Sequence, residues 1–314
     1  MIDNQDSIAP AGVKRRHLIG GAALGVTMGA LGGLAGGVAL ADGAKLPQQK
    51  PSGKRRFENK VVLVTGGTSG IGRAASLMFA AEGGKVAFCG RNVERGKQVQ
   101  DEIGEAGGEA VFIRADVRNE SEVKALVDRT IETYGKLDVA FNNAGISIEK
   151  PLHEYAASEF DDVLNTDLRG VFLAMKYQIP HMLARGGSIL VTSSSNAIAT
   201  TAKRSAYSAA KRGLVGLVQA AALDYAQHGI RVNALIPGTT DTPFIRRLSG
   251  MENLPDAAWH VAVSQWAKTH VPGMQRVATA EEIAAFAVTL ASDDHPYTTG
   301  GQFVIDGGKT AQAG

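Results

Sequence analysis

Val61-Val62-Leu63-Val64 is a continuous apolar run that leads into Thr65-Gly66-Gly67-Thr68-Ser69-Gly70-Ile71-Gly72-Arg73 and then into Ala74 to Glu82, which holds no Gly or Pro. A β-branched run without polar alternation predicts a strand buried on both faces, as in a parallel sheet. Glycines after such a strand let the backbone approach a phosphate closely. The following helix offers free N–H groups and the positive end of its dipole. Strand, turn and helix together predict a doubly wound α/β domain with a pyrophosphate site at its first turn, built from Gly66, Thr68, Ser69, Gly70, Ile71 and Gly72.

The remaining composition narrows the function classes. At 314 residues, 44% hydrophobic and 20% charged, the chain has length for one large core. A formal net charge of +2 provides no electrostatic footprint for nucleic acid. Cys89 is the only cysteine, which excludes an intrachain disulfide and a Cys-based metal site, and the seven His are scattered, so no metal is expected.

Residues 1–41 read as a segment outside the fold. Lys14-Arg15-Arg16 precedes an uncharged Gly/Ala/Leu/Val run that ends in Ala39-Leu40-Ala41. Basic region, mildly apolar region and small-residue cleavage site make an export signal of the twin-arginine type, which implies a periplasmic or otherwise exported protein. An uncleaved membrane anchor is the alternative; the many glycines of the run oppose it, and with cleavage no stable membrane insertion is expected. Residues 42–56 contain Pro47, Pro51, Gly43 and Gly53 among basic residues and read as a solvated linker. The folded domain is then 57–314.

A second constellation lies further along. Tyr207 and Lys211 are four residues apart in an Ala-rich run, which places them on one face of a helix. A free phenol, with a pKa of about 10, is a poor base near neutrality, and a neighbouring cation favours the phenolate. Ser194 follows the apolar run Ser188-Ile189-Leu190-Val191, at a strand end where its hydroxyl can hold a substrate oxygen. Taken alone, Tyr-x-x-x-Lys is also a common surface pair.

The order of the motifs resembles the short-chain dehydrogenase/reductase family. Thr65 to Gly72 is similar to its Thr-Gly-x-x-x-Gly-x-Gly turn, followed in order by Asp116-Val117, Asn142-Asn143-Ala144-Gly145, then Ser194, Tyr207 and Lys211, then Pro237-Gly238 and Asp306-Gly307-Gly308. The resemblance implies a single Rossmann-type, doubly wound α/β domain with a mainly parallel seven-stranded sheet. It implies hydride exchange between a nicotinamide cofactor and a secondary alcohol or carbonyl compound, with Tyr207 as general acid/base, Ser194 holding the substrate oxygen and Lys211 acting on both Tyr207 and the cofactor ribose. Asp116 and Val117 are expected at the adenine, Asn143, Ala144 and Gly145 along the cofactor, and Pro237, Gly238, Thr240 and Thr242 around its carboxamide and phosphates. A homotetramer or homodimer is expected. A dinucleotide-binding redox sensor or assembly protein with little turnover is the rival reading.

Two positions set this chain apart. Gly90 stands eighteen residues after Gly72, where NAD enzymes usually place an acidic residue, and Arg91 follows it. A guanidinium suits the 2′-phosphate of NADP, so NADP is expected, with NAD possible. Asp167 stands three residues before Gly170, where the family carries an Asn in a proton relay. Asn165 lies about 200° away around a helix and is a poor substitute. Asp167 is expected beside Lys211, accepting from water or pairing with the ammonium. Substrate choice is expected in the stretch from Phe244 to Gln275, which holds Met251, Trp259 and Trp266; the two Trp share a helical face, as packing or as a lid.

Overall fold

The computed structural model describes residues 47–311. The segment assigned to export therefore lies outside the described residues. Strand and helix alternate from the first motif onward: β1 (Val61–Thr65), α1 (Gly70–Ala81), β2 (Lys85–Gly90), α2 (Val93–Glu105), β3 (Glu109–Arg114), α3 (Glu120–Tyr134) and β4 (Val139–Asn142). The second half continues with α4 (Ala157–Leu164), α5 (Gly170–Gln178), β5 (Gly187–Thr192), α6 (Ser205–Tyr225) and β6 (Ile230–Pro237). A short strand pair, β7 (Thr240–Asp241) and β8 (Ala278–Thr279), brackets α7 (Pro243–Leu248) and α8 (Asp256–His270); α9 (Ala280–Ala291) and β9 (Gln302–Ile305) close the chain.

The main sheet has seven strands in the order β3-β2-β1-β4-β5-β6-β9, and every pairing in it is parallel. The predicted buried strand is fully covered because alternate residues feed two cores. Leu63, Ala87, Ala140 and Ile189 pack against α3, α5 and α6, whereas Val62, Val64, Phe88 and Phe141 pack against α1, α2 and α9. Period-two alternation of direction with apolar residues on both sides explains the unbroken apolar runs. The strand order reverses between β1 and β4, and ligands bind at such a switch point, beyond the carboxyl ends of the strands.

Between α4 and α5 the helix widens into a π-turn, Asn165–Arg169, without breaking. Such turns alter which side chain faces inward, and here they bury Thr166 and Asp167.

The start of the domain is tied down by charge. Residues 47–55 are exposed, but Arg56 reaches buried Glu82 with two donors, Nε at 2.6 Å and a terminal nitrogen at 2.7 Å, and Ser52 Oγ adds a third bond at 2.8 Å. Burial raises the Glu82 carboxyl, and the bonds from Arg56 and Ser52 outweigh it, holding Glu82 below its ordinary value. Arg56→Ala leaves that carboxylate uncompensated and should cost about 3 kcal/mol in urea unfolding at pH 7. Because the folded-state pKa is depressed, this contribution is present above the unfolded pKa and lost as pH falls through the folded one. The variant and parent should converge at acidic pH.

Candidate active site

A cleft of about 780 Å³ opens along the carboxyl edge of the sheet. Its first wall is the glycine turn. Gly66, Thr68, Ser69, Gly70 and Ile71 line it, and α1 begins there with no acidic residue in its first turn, so the amino-terminal dipole is uncompensated. Gly72 faces inward against the turn: a Cβ on it would lie 2.2 Å from the Gly66 carbonyl oxygen, so the sharp strand-to-helix reversal requires glycine there. Thr65 Oγ1 accepts the backbone N–H groups of Asn143 (3.0 Å) and Ala144 (3.2 Å), which joins the β1 and β4 loops into one floor. Asn143, Ala144, Gly145, Asp116, Val117, Pro237, Gly238, Thr240 and Thr242 all line the same cleft. An elongated groove with an open helix N-terminus at one end fits a dinucleotide.

The end of β2 bears on the choice of cofactor. A Cβ on Gly90 would meet the Thr68 side chain at 2.6 Å, so no carboxylate can be built there without displacing a β-branched neighbour. Arg91 and Arg95 are exposed and line the cleft beside it. Asp116 is committed elsewhere: its two oxygens accept from the Arg118 guanidinium, whose hydrogen bonds hold the carboxyl below its ordinary value despite burial. Any adenine contact shares an acceptor with Arg118.

At the other end, α6 carries Tyr207 and Lys211 on one face, with the Lys211 ammonium 5.5 Å from the Tyr207 ring centre. Tyr207 is 8% exposed and Lys211 3%. Lys211 Nζ donates to the Thr192 carbonyl at 2.9 Å and lies 3.2 Å from Asp167 Oδ2. The other Asp167 oxygen accepts the Ile146 N–H at 2.7 Å. Oδ2 itself has no aligned hydrogen-bond donor, so its contact with the ammonium is an ion pair alone. Burial lowers the Lys211 pKa, but the charge of Asp167 outweighs it and the net direction is upward; burial pushes Asp167 up, against the pull of Lys211. The ammonium is therefore kept charged inside the protein.

Three consecutive serines meet this pair, and only Ser194 is half-open to the cleft. Ser193 Oγ donates to the Lys211 carbonyl at 2.8 Å, Ser195 is buried, and Ser194 Oγ accepts the Asn196 N–H at 3.2 Å. Phe244, Ile245, Ile146 and Ile148 add an apolar wall beside Tyr207. Asn165 does not reach the cleft.

The expected specificity stretch contributes only its beginning. Phe244, Ile245, Arg247 and Leu248 line the cleft, whereas Trp259 is fully buried, donating from Nε1 to Asp241 at 2.7 Å, and packs with Met251 and Trp266 in a separate small core. The Trp stripe is packing. Arg95, Arg204 and Lys309 are cleft residues that local sequence pattern did not single out.

A family profile described as enoyl-(acyl carrier protein) reductase matches residues 66–310. The chain is 40% identical over 258 residues to 2,5-dichloro-2,5-cyclohexadiene-1,4-diol dehydrogenase of Sphingobium indicum, covering 81% of this chain and 98% of that protein. It is 37% identical over 259 residues to cyclohexanol dehydrogenase of Acinetobacter sp. strain SE19, covering 82% and 97%. The crystal structure of levodione reductase superposes with a TM-score of 0.76 at 35% identity, over 82% of this chain and 100% of that one. The chain belongs to the short-chain dehydrogenase/reductase family, and it is an oxidoreductase acting on CH–OH groups with a nicotinamide cofactor.

The buried pair predicts unequal effects at one position. Asp167→Ala strands the Lys211 charge and should cost about 3–5 kcal/mol in chemical denaturation, whereas Asp167→Asn keeps an acceptor for Ile146 and should cost less. Asn also removes the carboxylate that raises Lys211. A raised lysine pKa contributes stability below the unfolded pKa that is lost as pH rises through the folded one. The alkaline loss of stability and activity should therefore begin at lower pH in Asp167→Asn than in the parent.

Proposed function

We propose that this enzyme is an exported, NADP-preferring dehydrogenase or reductase of alicyclic secondary alcohols and ketones, with Tyr207 as its general acid/base. The observation that carries the reading is the buried Lys211 ammonium, fixed between Asp167 and the Thr192 carbonyl beneath Tyr207. A cation held this way stabilises negative charge on the phenol oxygen as a proton leaves it. Ser194, the one open hydroxyl of its run, holds the substrate oxygen. Tyr207 gives that oxygen a proton in reduction and takes it back in oxidation. Bound along the cleft, the nicotinamide supplies or accepts the hydride.

Gly66, Thr68, Ser69, Gly70, Ile71 and Gly72 hold the pyrophosphate, and Asn143, Ala144 and Gly145 leave room for the cofactor to lie close to the sheet edge. Asp116 and Val117 flank the adenine; Pro237, Gly238, Thr240 and Thr242 take the opposite end. Arg91 serves the 2′-phosphate, a role supported by the lack of space for a carboxylate at Gly90. The alicyclic substrate class rests on relatives named for cyclohexanol and a cyclohexadiene diol, and on the apolar wall of Ile146, Ile148 and Phe244. Export, on the twin-arginine pattern of Arg15-Arg16, and assembly as a homotetramer or homodimer complete the proposal.

Steady-state oxidation of cyclohexanol tests it. Tyr207→Phe should lower kcat by about 10²–10⁴ while cofactor affinity is retained. Arg91→Ala should raise the KM for NADP about tenfold or more and leave that for NAD nearly constant. Tight cofactor binding without turnover of any alcohol or ketone would favour the sensor reading instead.

A further inference from the structure

Lys309 follows Asp306-Gly307-Gly308 and lines the same cleft as Tyr207, 102 residues earlier, because β9 runs beside β6. Among the described residues, other partly or fully buried lysines have a carboxylate partner: Lys60 with Asp293, Lys150 with Glu159, Lys211 with Asp167. Among the described residues Lys309 has none. The nearest carboxylate in sequence, Asp306, already accepts from the Gly308 N–H at 2.9 Å and from Thr310 N–H and Oγ at 2.8 and 2.6 Å. The Lys309 ammonium has one long hydrogen bond, 3.4 Å to Thr239 Oγ1, and sits 5.9 Å from the Trp266 ring centre.

Two charged groups, Arg204 and Asp306, act on it in opposite senses. Burial, and then the charge of Arg204, push the Lys309 pKa down from its ordinary value, and the charge of Asp306 opposes them without reversing the direction. Arg204 also lines the cleft, with its guanidinium 6.0 Å from the Tyr207 ring centre and an ion pair to Glu149. One ammonium without an ion pair beside a partly compensated guanidinium, facing a cleft walled by Ile146, Ile148, Phe244 and Leu248, is unfavourable in the free protein. An anion placed between them relieves both the desolvation and the repulsion.

We propose that Lys309 and Arg204 form the anion-recognition end of the substrate pocket, and that the alcohols and ketones this enzyme prefers carry a carboxylate. The inference rests on the alcohol dehydrogenase reading above and specifies its substrate. Lys309 is then a specificity-determining residue, and Tyr207 and Ser194 act on a carbinol held at a fixed reach from the charged group.

The test compares 3-hydroxycyclohexane-1-carboxylate with its primary amide and with cyclohexanol, using the intact enzyme and NADP. The carboxylate should exceed the amide in kcat/KM by about tenfold or more. Lys309→Met should collapse that ratio through the KM for the carboxylate, and Lys309→Arg should restore most of it. Cyclohexanecarboxylate should also change the tryptophan fluorescence of the parent more than that of Lys309→Met, through Trp266. Equal use of carboxylate and amide by the parent overturns the proposal, as does a Lys309→Met effect that falls on the KM for NADP. Absence of turnover of all three alcohols with either cofactor overturns the dehydrogenase reading itself, and this one with it.

Discussion

Because all seven strands of the main sheet run in the same direction, every strand ends at one edge, and the site is a consequence of that edge. The glycine turn follows β1, Asp116 follows β3, Asn143 follows β4, Ser194 follows β5 and Gly238 follows β6. Residues far apart in sequence meet because each lies within two residues of the end of its strand. The reversal of strand order at β1 and β4 opens the groove between them, and the Thr65 hydroxyl closes its floor by holding the β4 loop.

The chemistry at the far end depends on keeping a cation where water does not reach. Burial pushes the Lys211 pKa down, and the Asp167 carboxylate outweighs it, while the Thr192 carbonyl accepts from the ammonium. The π-turn of Asn165–Arg169 belongs to this arrangement, since Asp167 lies within it and is fully buried. Asp at position 167 gives the Lys211 ammonium an ion pair. The pair stabilises the charge of Lys211 and ties the position of α6 to the α4–α5 helix.

Much of this was legible in the sequence because the signals are local. The run Val61 to Val64 with its glycines gave the first strand, turn and helix, and the four-residue spacing of Tyr207 and Lys211 gave their common face. What escaped depends on tertiary contact. Trp259 shares a helical face with Trp266 in any helix, and only the position of Asp241 makes that face a core rather than a lid. The claim of Arg118 on Asp116 and the docking of Arg56 on Glu82 follow from side-chain reach, which spacing does not encode. Lys309 enters the cleft only because β9 pairs with β6.

Direct transfer of hydrogen between substrate carbon and cofactor, across the groove that ends at Tyr207, is the centre of this account. Oxidation of cyclohexanol deuterated at the carbinol carbon, followed by mass analysis of the recovered NADPH, measures it. One deuterium per turnover should appear in the nicotinamide even in ordinary water. Reduced cofactor that carries solvent hydrogen, or no reduced cofactor at all from folded enzyme, would contradict it.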